Sequence, residues 1–159
     1  MAHDGLSQLH VRDGEAAGMR VAVISATWNA EITDALHTRA INRAKQAGAS
    51  VREWRVAGAL ELPVVVAEAV KHFDAVVATG CIIEGETEHF RVVCDAVTYG
   101  LTRIPIDSGV PVGNGVLTVQ NQQQAIDRAG GEGAAEDKGA DSALAAIQAA
   151  LTLKQIANS

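Results

Sequence analysis

The segment DAVVATGCIIEGETEHF, residues 74–90, decides the fold that this chain adopts. Its first part, 74–83, is almost continuously apolar, which predicts a buried strand. Gly85 then turns the chain, and a helix is predicted to begin with Thr87 and His89 in its first turn. In an open α/β sheet, ligands bind outside the carboxyl end of a strand, at the positive end of the following helix. The segment therefore predicts an enzyme that acts on a small phosphorylated molecule.

The composition favours one domain with an aliphatic core. The 159 residues are 48% hydrophobic but only 3% aromatic, which suits a parallel sheet packed between helices. A net charge of −6 without a basic cluster argues against nucleic acid and membrane partners. Without a membrane-length apolar run or a signal-peptide order, we expect a cytoplasmic protein. Cys81 and Cys94 lack CxxC spacing, so we expect free, largely buried thiols rather than a disulfide or a zinc site.

Strand and helix patterns alternate along most of the chain. Strands are predicted at 20–26, 50–56, 73–83, 104–107 and 115–119, with a turn at Asn114-Gly115. Helices are predicted from beyond Asn29 to Gly48, from Pro63 to about Lys71, over about 88–102, from Asn121 to about Arg128, and over about 137–156. Such alternation gives βαβ units and a mainly parallel sheet. Residues 1–18 are predicted to be a flexible arm or a strand that needs a partner, and residues 19–159 a single domain.

His89 is the candidate general acid/base. A helix N-terminus disfavours the imidazolium, so the neutral base is available near pH 7, although a bound phosphate pushes the other way. The alternative is an ordinary surface histidine in a helix first turn. The preceding strand, the glycine turn and Thr87 favour catalysis. The remaining histidines lack this setting and are expected to be solvated: His3, His10, His37 and His72.

The loop before this helix is the candidate phosphate site. Gly85, Glu86 and Thr87 offer backbone amides, and Thr87 adds a hydroxyl. An ordinary helix cap uses the same amides, and both readings can hold at once. The Glu86 carboxylate should point away, so only its backbone is assigned. Arg128 would clamp the phosphate, although sequence alone favours a cation at a helix C-terminus.

Each of four other candidate positions has an ordinary structural reading from the residues alone. Trp28, directly after a strand, suits either ring stacking or a core or subunit-interface contact. Glu61 either accepts hydrogen bonds from the hydroxyls of a ligand or caps a helix, and the residues alone favour the two readings about equally. Asn114 reads as a turn residue. Lys138 reads as a solvated charge near a helix start, where the dipole disfavours a cation, and that conflict supports a functional role.

Five loops together resemble lumazine synthase, the penultimate enzyme of riboflavin biosynthesis. They are Trp28, GALELP at 58–63, GETEHF at 85–90, NGVLT at 114–118, and RAG at 128–130 followed by DKG at 137–139. The likeness runs in order from about Arg20 to the C-terminus and is closest to the actinobacterial branch. Each motif is weak alone, whereas five at compatible spacing are specific.

The resemblance implies a reaction and a fold. 5-Amino-6-ribitylaminouracil would condense with 3,4-dihydroxy-2-butanone 4-phosphate to give 6,7-dimethyl-8-ribityllumazine and phosphate, with no metal or redox cofactor. Imine formation, phosphate elimination and ring closure need proton transfers and positioning. The fold should be a three-layer α/β/α sandwich with a mainly parallel four-stranded sheet, flavodoxin-like in type.

The resemblance also implies a role for each candidate residue. His89 would move protons, and Arg128 would clamp the phosphate. Asn114, Lys138 and Arg128 would come from the neighbouring subunit. The residues that would hold the pyrimidine and its ribityl chain are Trp28 by stacking, Glu61 by its carboxylate, Gly58, Ala59, Leu60, Ile82 and Ile83 by backbone groups, and the neighbour's Asn114 and Lys138.

The resemblance also predicts how the chain assembles. The family forms pentamers or icosahedral shells of pentamers. The loop between Arg128 and Lys138 is longer than in shell-forming relatives, which predicts a free pentamer. The family also implies a functional link to riboflavin synthase. A non-catalytic flavin or lumazine binder, or a shell protein on the same fold, is the rival of another class. An archaeal-type riboflavin synthase would not need a phosphate clamp, so the pairing of Thr87 with Arg128 argues against it.

Overall fold

The computed structural model describes residues 10–159. Within that range, four strands form one parallel sheet in the order β2-β1-β3-β4. The strands are β1 (Arg20–Ala26), β2 (Ser50–Val56), β3 (Ala75–Ile83) and β4 (Val112–Val119). The predicted α/β class and four-stranded parallel sheet are therefore confirmed. Because all strands run the same way, their carboxyl ends meet at one edge of the sheet, where a ligand site is expected.

Helices cover both faces of the sheet. They are α1 (Ala30–Gln46), α2 (Leu62–Ala69), α3 (His89–Ser108), α4 (Gln122–Ile126) and α5 (Lys138–Ala157). In β1, Val21 and Val23 pack with α1 and α5, whereas Ala22 and Ile24 pack with α2 and α3. Successive strand residues point to opposite faces, so a continuously apolar strand contributes to both cores. The result is the predicted three-layer sandwich.

The strand predicted at 104–107 is wrong, because these residues continue α3. Leu101 and Ile104 lie one turn apart and both pack on the core beneath the helix. Pro105 lies in the last turn, where it removes only one helical hydrogen bond. Gly109 then ends the helix in a left-handed conformation, with φ 73° and its N–H donating to the Pro105 carbonyl at 2.9 Å. A short apolar run does not distinguish helix from strand by itself.

The turn predicted at Asn114-Gly115 is also wrong, because both residues lie inside β4. The glycines of β4 instead let α5 approach the strand closely. A Cβ atom on Gly115 would lie 2.6 Å from the Ser142 hydroxyl oxygen, and one on Gly113 would overlap the Ser142 carbonyl oxygen. Glycine in a strand often marks such a close approach rather than a turn.

The remaining element predictions hold with shifts at their ends. β1 and β2 have the predicted bounds. The predicted cap at Asn121 is confirmed, since its side-chain oxygen accepts the Gln124 N–H at 2.9 Å. Residues 13–18 are turns, and Val11 and Ala16 are buried against the core. The rest of the predicted flexible arm, 1–9, lies outside the described residues. No helix in the described range is long and apolar enough to cross a membrane.

Candidate active site

The loops after β1 and β2 lie side by side at the carboxyl edge of the sheet. The Ala57 carbonyl accepts from three donors on the first loop: the Thr27 N–H at 3.2 Å, the Thr27 hydroxyl at 2.9 Å and the Trp28 N–H at 3.2 Å. These bonds fix the backbone of Trp28 beside the 58–61 segment. Two loops that are distant in sequence therefore form one wall of a site.

A cavity of about 240 Å³, here called the Trp28 cavity, opens between these loops and the start of α3. It brings together six of the predicted site residues. Its lining is Trp28, Ala57, Gly58, Ala59, Leu60, Glu61, His89 and Val93. The Trp28 side chain is 73% exposed, so it does not belong to the core of this chain. Its ring is available for a ligand or for another subunit.

Glu61 caps a helix, which is one of its two sequence readings. Its Oε2 atom accepts the Gly58 N–H at 3.1 Å and so caps the short 3-10 helix Ala59–Glu61. Glu61 also lines the Trp28 cavity. Oε1 has no hydrogen bond to the described residues, so it remains able to accept from a ligand hydroxyl.

The segment from 84 to 89, here called the phosphate loop, follows β3 and is exposed. α3 begins at His89, so His89 lies in its first turn as predicted, whereas Thr87 precedes the helix instead of lying in that turn. The His89 N–H donates to the Thr87 hydroxyl at 3.3 Å. Among residues 10–159, the N–H groups of Gly85, Glu86 and Thr87 have no hydrogen-bond partner. Unpaired amides before a helix are suited to an anion. Ile82 and Ile83 end β3 immediately before this loop.

Arg128 and Lys138 lie together in a second cavity of about 240 Å³, here called the Arg128 cavity, below the end of β4. The chain folds back between them, and the Lys138 N–H donates to the Arg128 carbonyl at 2.9 Å. The Arg128 guanidinium donates to the Gln124 carbonyl at 2.9 Å, so it also caps α4. Asn114 is exposed on β4 and lines neither cavity.

An ion pair fixes this second cavity to the rest of the fold. Arg39 of α1 donates through Nε to Asp137 at 2.8 Å, and the hydrogen bond raises the pKa of the Arg39 guanidinium. Asp137 also accepts the Ala140 N–H at 3.3 Å and caps α5. A Cβ atom on Gly130 would overlap the Arg39 side chain, and the φ of 81° at this position also favours glycine. Lys138 follows Asp137 directly and is positioned by this contact.

His37 was expected to be solvated, and that prediction is wrong. Its side chain is buried between α1 and the sheet, where it contacts the Ser25 hydroxyl and the Glu53 carboxylate. Polar residues inside two apolar strands, Ser25 and Thr79, were the available sequence signal. Sequence analysis also missed Asn29, whose side chain bonds the end of β3.

Both cysteines are free, as predicted, and Cys81 is buried while Cys94 is half-buried. Burial raises the pKa of the Cys81 thiol to about 11 and, with Asp95, raises that of Cys94. A thiol with so high a pKa is a poor nucleophile near neutral pH. In the described part of the chain, no group of three His, Cys, Asp or Glu side chains is arranged to hold a metal ion.

Comparison with known proteins gives one consistent family. The family model for 6,7-dimethyl-8-ribityllumazine synthase matches residues 18–154. Proteins of that name from Corynebacterium urealyticum and Corynebacterium jeikeium are 71% and 69% identical, each over at least 98% of both chains. The protein of that name from Mycobacteroides abscessus is 51% identical over 98% of this chain and 97% of its own.

Proposed function

Because the chain belongs to the 6,7-dimethyl-8-ribityllumazine synthase family, we propose that the Trp28 cavity and the phosphate loop form its active site. The chain is a transferase of riboflavin biosynthesis. It condenses 5-amino-6-ribitylaminouracil with 3,4-dihydroxy-2-butanone 4-phosphate, giving 6,7-dimethyl-8-ribityllumazine and phosphate. The non-catalytic alternative is not favoured, since identities of 50–71% extend over nearly the whole chain.

The phosphate loop is the proposed binding site for the phosphate group of butanone phosphate. The free amides of Gly85, Glu86 and Thr87 lie beside His89 at the positive end of a 20-residue helix. A phosphate bound there would bring the carbon chain of its substrate next to the imidazole. His89 is then placed to shuttle the protons that imine formation and phosphate elimination require.

The Trp28 cavity would bind the other substrate. An exposed tryptophan ring suits the flat face of the pyrimidine, and Oε1 of Glu61 can accept from ribityl hydroxyls. The backbone groups of Gly58, Ala59 and Leu60 line the same wall. Ile82 and Ile83, at the end of β3, would meet the pyrimidine edge between the two subsites.

We further propose that Arg128, Lys138 and Asn114 act on the active site of a neighbouring subunit. The Arg128 cavity is separate from the Trp28 cavity within one chain, as this arrangement requires. Large apolar side chains on α2 and α3 are exposed, which favours association with further copies. They are Val64, Val92, Tyr99 and Ile106. A free pentamer is the assembly we propose, and light scattering that finds a megadalton particle would contradict it.

The direct test mixes the purified protein with both substrates and follows lumazine absorbance and fluorescence against the uncatalysed background. Product above background, with phosphate released in equal amount, supports the reaction and makes the proposed residue roles testable. No rate above background, with tight flavin or lumazine binding retained, would support the binding-protein alternative. The cytoplasmic location and the link to riboflavin synthase stay predictions, to be checked by cell fractionation and co-purification.

A further inference from the structure

Asn29 has an unusual backbone at the start of α1. Its φ and ψ are 60° and 55°, and it is the only non-glycine residue with positive φ in the described range. A left-handed residue that is not glycine costs free energy, and asparagine tolerates this conformation better than most residues. The surrounding contacts must therefore hold it there, because such conformations persist only when the structure enforces them.

The side chain of Asn29 connects two parts of the proposed site. Its Nδ2 atom donates to the Cys81 carbonyl of β3 at 3.1 Å. Cys81 directly precedes Ile82 and Ile83, which would meet the pyrimidine. Asn29 also starts α1, because its carbonyl accepts the N–H groups of Ile32 and Thr33 at 2.9 and 3.0 Å. One residue thus fixes the tip of the first loop to the end of the central strand.

Trp28 depends on this backbone for its position. Its side chain is 73% exposed, so packing within the chain constrains the ring weakly. Its N–H is bonded to Ala57 on one side, and the left-handed turn at Asn29 sets the direction of the chain on the other. Loss of the bond between Asn29 and Cys81 would free the loop on the side that faces the pyrimidine.

We propose that Asn29 is a positioning residue for the pyrimidine substrate, acting through Trp28 by its bond to the Cys81 carbonyl. This inference rests on the proposed function of Trp28. Asn29 is not assigned a contact with substrate. Its contribution is to hold the loop that carries Trp28 against β3, which lowers the entropy lost when the pyrimidine binds.

Two substitutions separate the hydrogen bond from the backbone conformation. Asn29→Gly keeps positive φ accessible and removes the amide. Asn29→Asp keeps a similar shape but replaces the donor by a carboxylate oxygen facing a carbonyl. We expect Asn29→Gly to raise the KM for ribitylaminouracil about three- to tenfold, as for one lost neutral hydrogen bond. Asn29→Asp should raise it further, and both should leave the KM for butanone phosphate within about twofold.

The double variant Trp28→Ala/Asn29→Gly tests whether the two residues act together. If Asn29 acts through Trp28, Asn29→Gly should have almost no further effect on the pyrimidine KM once the ring is absent. If Asn29 only supports the fold, Asn29→Gly should instead lower the melting temperature and raise the pyrimidine KM by the same factor with and without the Trp28 ring. Asn42→Asp, on the exposed side of α1, is the matched control for the added charge.

The possible results are distinguishable. If Trp28→Ala itself leaves the pyrimidine KM unchanged, the proposed function of Trp28 fails. If Trp28→Ala raises it and Asn29→Gly does not, the positioning role of Asn29 alone is wrong. Equal changes in both KM values would also overturn it, since these indicate general damage. If Asn29→Gly fails to assemble, Asn29→Asp replaces it. Its effect on the pyrimidine KM is then compared between the wild-type and Trp28→Ala backgrounds in the same way.

Discussion

The Nδ1 atom of His37 lies 2.5 Å from the Ser25 hydroxyl oxygen, in the interior between α1 and the sheet. The same hydroxyl lies 2.6 Å from the Thr79 hydroxyl, and Nε2 of His37 lies 3.0 Å from Glu53. A neutral imidazole with its proton on Nε2 satisfies all four groups: His37 donates to Glu53, Ser25 donates to His37 and Thr79 donates to Ser25. This chain of bonds joins three strands to α1.

The buried chain makes a stability prediction. Ser25→Ala should destabilise the fold by about 1–3 kcal/mol, because Nδ1 and the Thr79 hydroxyl lose a buried partner. The triple variant Ser25→Ala/His37→Leu/Thr79→Val should be less destabilised than the single variant, since apolar groups replace all of the buried polar ones. Urea unfolding at constant subunit concentration measures both. A triple variant that is clearly less stable than Ser25→Ala would contradict this account.

His89→Ala should lower kcat by at least about tenfold. The loss can be smaller than the roughly hundredfold to ten-thousandfold usual for general acid/base catalysis, because substrate phosphate and water can carry some of the protons. The affinity for ribitylaminouracil should change little, since that substrate would be held by Trp28 and Glu61. Steady-state kinetics and equilibrium binding of the pyrimidine separate the two quantities. His72→Ala, at an exposed histidine paired with Glu68, is the control. A rate near wild type would reduce His89 to an orienting or packing role.

Arg128→Ala should raise the KM for butanone phosphate specifically, because the guanidinium is proposed to hold the phosphate through charge-assisted bonds worth about 1.5–3 kcal/mol each. Arg128→Lys should recover part of that loss, since it keeps the charge without the planar fork. Arg103→Ala removes an exposed arginine of α3 that pairs with Asp107, and it should be neutral. An equal rise in both KM values would point to damaged assembly instead.

Local patterns predicted much of the fold. β1 and β2 follow from apolar or β-favouring runs between turn residues, and the cap at Asn121 follows from residue type. The strand prediction for 104–107 failed because the helical state of these residues depends on packing of Ile104 against the sheet. Asn114-Gly115 failed because the need for glycine there comes from α5, which lies far along the chain.

The grouping of the candidate site residues came from the family resemblance. Trp28, Glu61 and His89 line one cavity of the structure, and their roles in catalysis and binding stay predictions. Asn29 could not be recognised, because both its left-handed backbone and its bond to Cys81 are properties of the folded chain. His37 was missed for the same reason, since its partners come from different strands.

Alkaline pH should weaken the fold through Cys81. Burial raises the pKa of this thiol from its ordinary 9.0 to about 11, so the unfolded chain ionises first. The stability contributed by the neutral thiol is complete below pH 9 and declines as the pH rises towards 11. The free energy of unfolding of wild type should fall more steeply over that interval than that of Cys81→Ala. If the free energies of unfolding of the two proteins fall in parallel with pH, Cys81 ionises equally easily in the folded and unfolded states.

Mixed assemblies test whether two subunits share each active site. His89→Ala impairs the side formed by the Trp28 cavity, and Arg128→Ala impairs the side formed by the Arg128 cavity. When the two variants are co-expressed with different tags and mix at random, about a quarter of the interfaces should join two intact sides. At butanone phosphate concentrations below the KM, where both variants are impaired, tandem-purified mixed assemblies should then show about a quarter of wild-type activity, well above either variant alone, because each of these interfaces contains a complete site. Mixing His89→Ala with Trp28→Ala should restore nothing, since both changes lie on the same side. Activity no higher than the average of the parent variants in the first mixture would mean that each chain completes its own site.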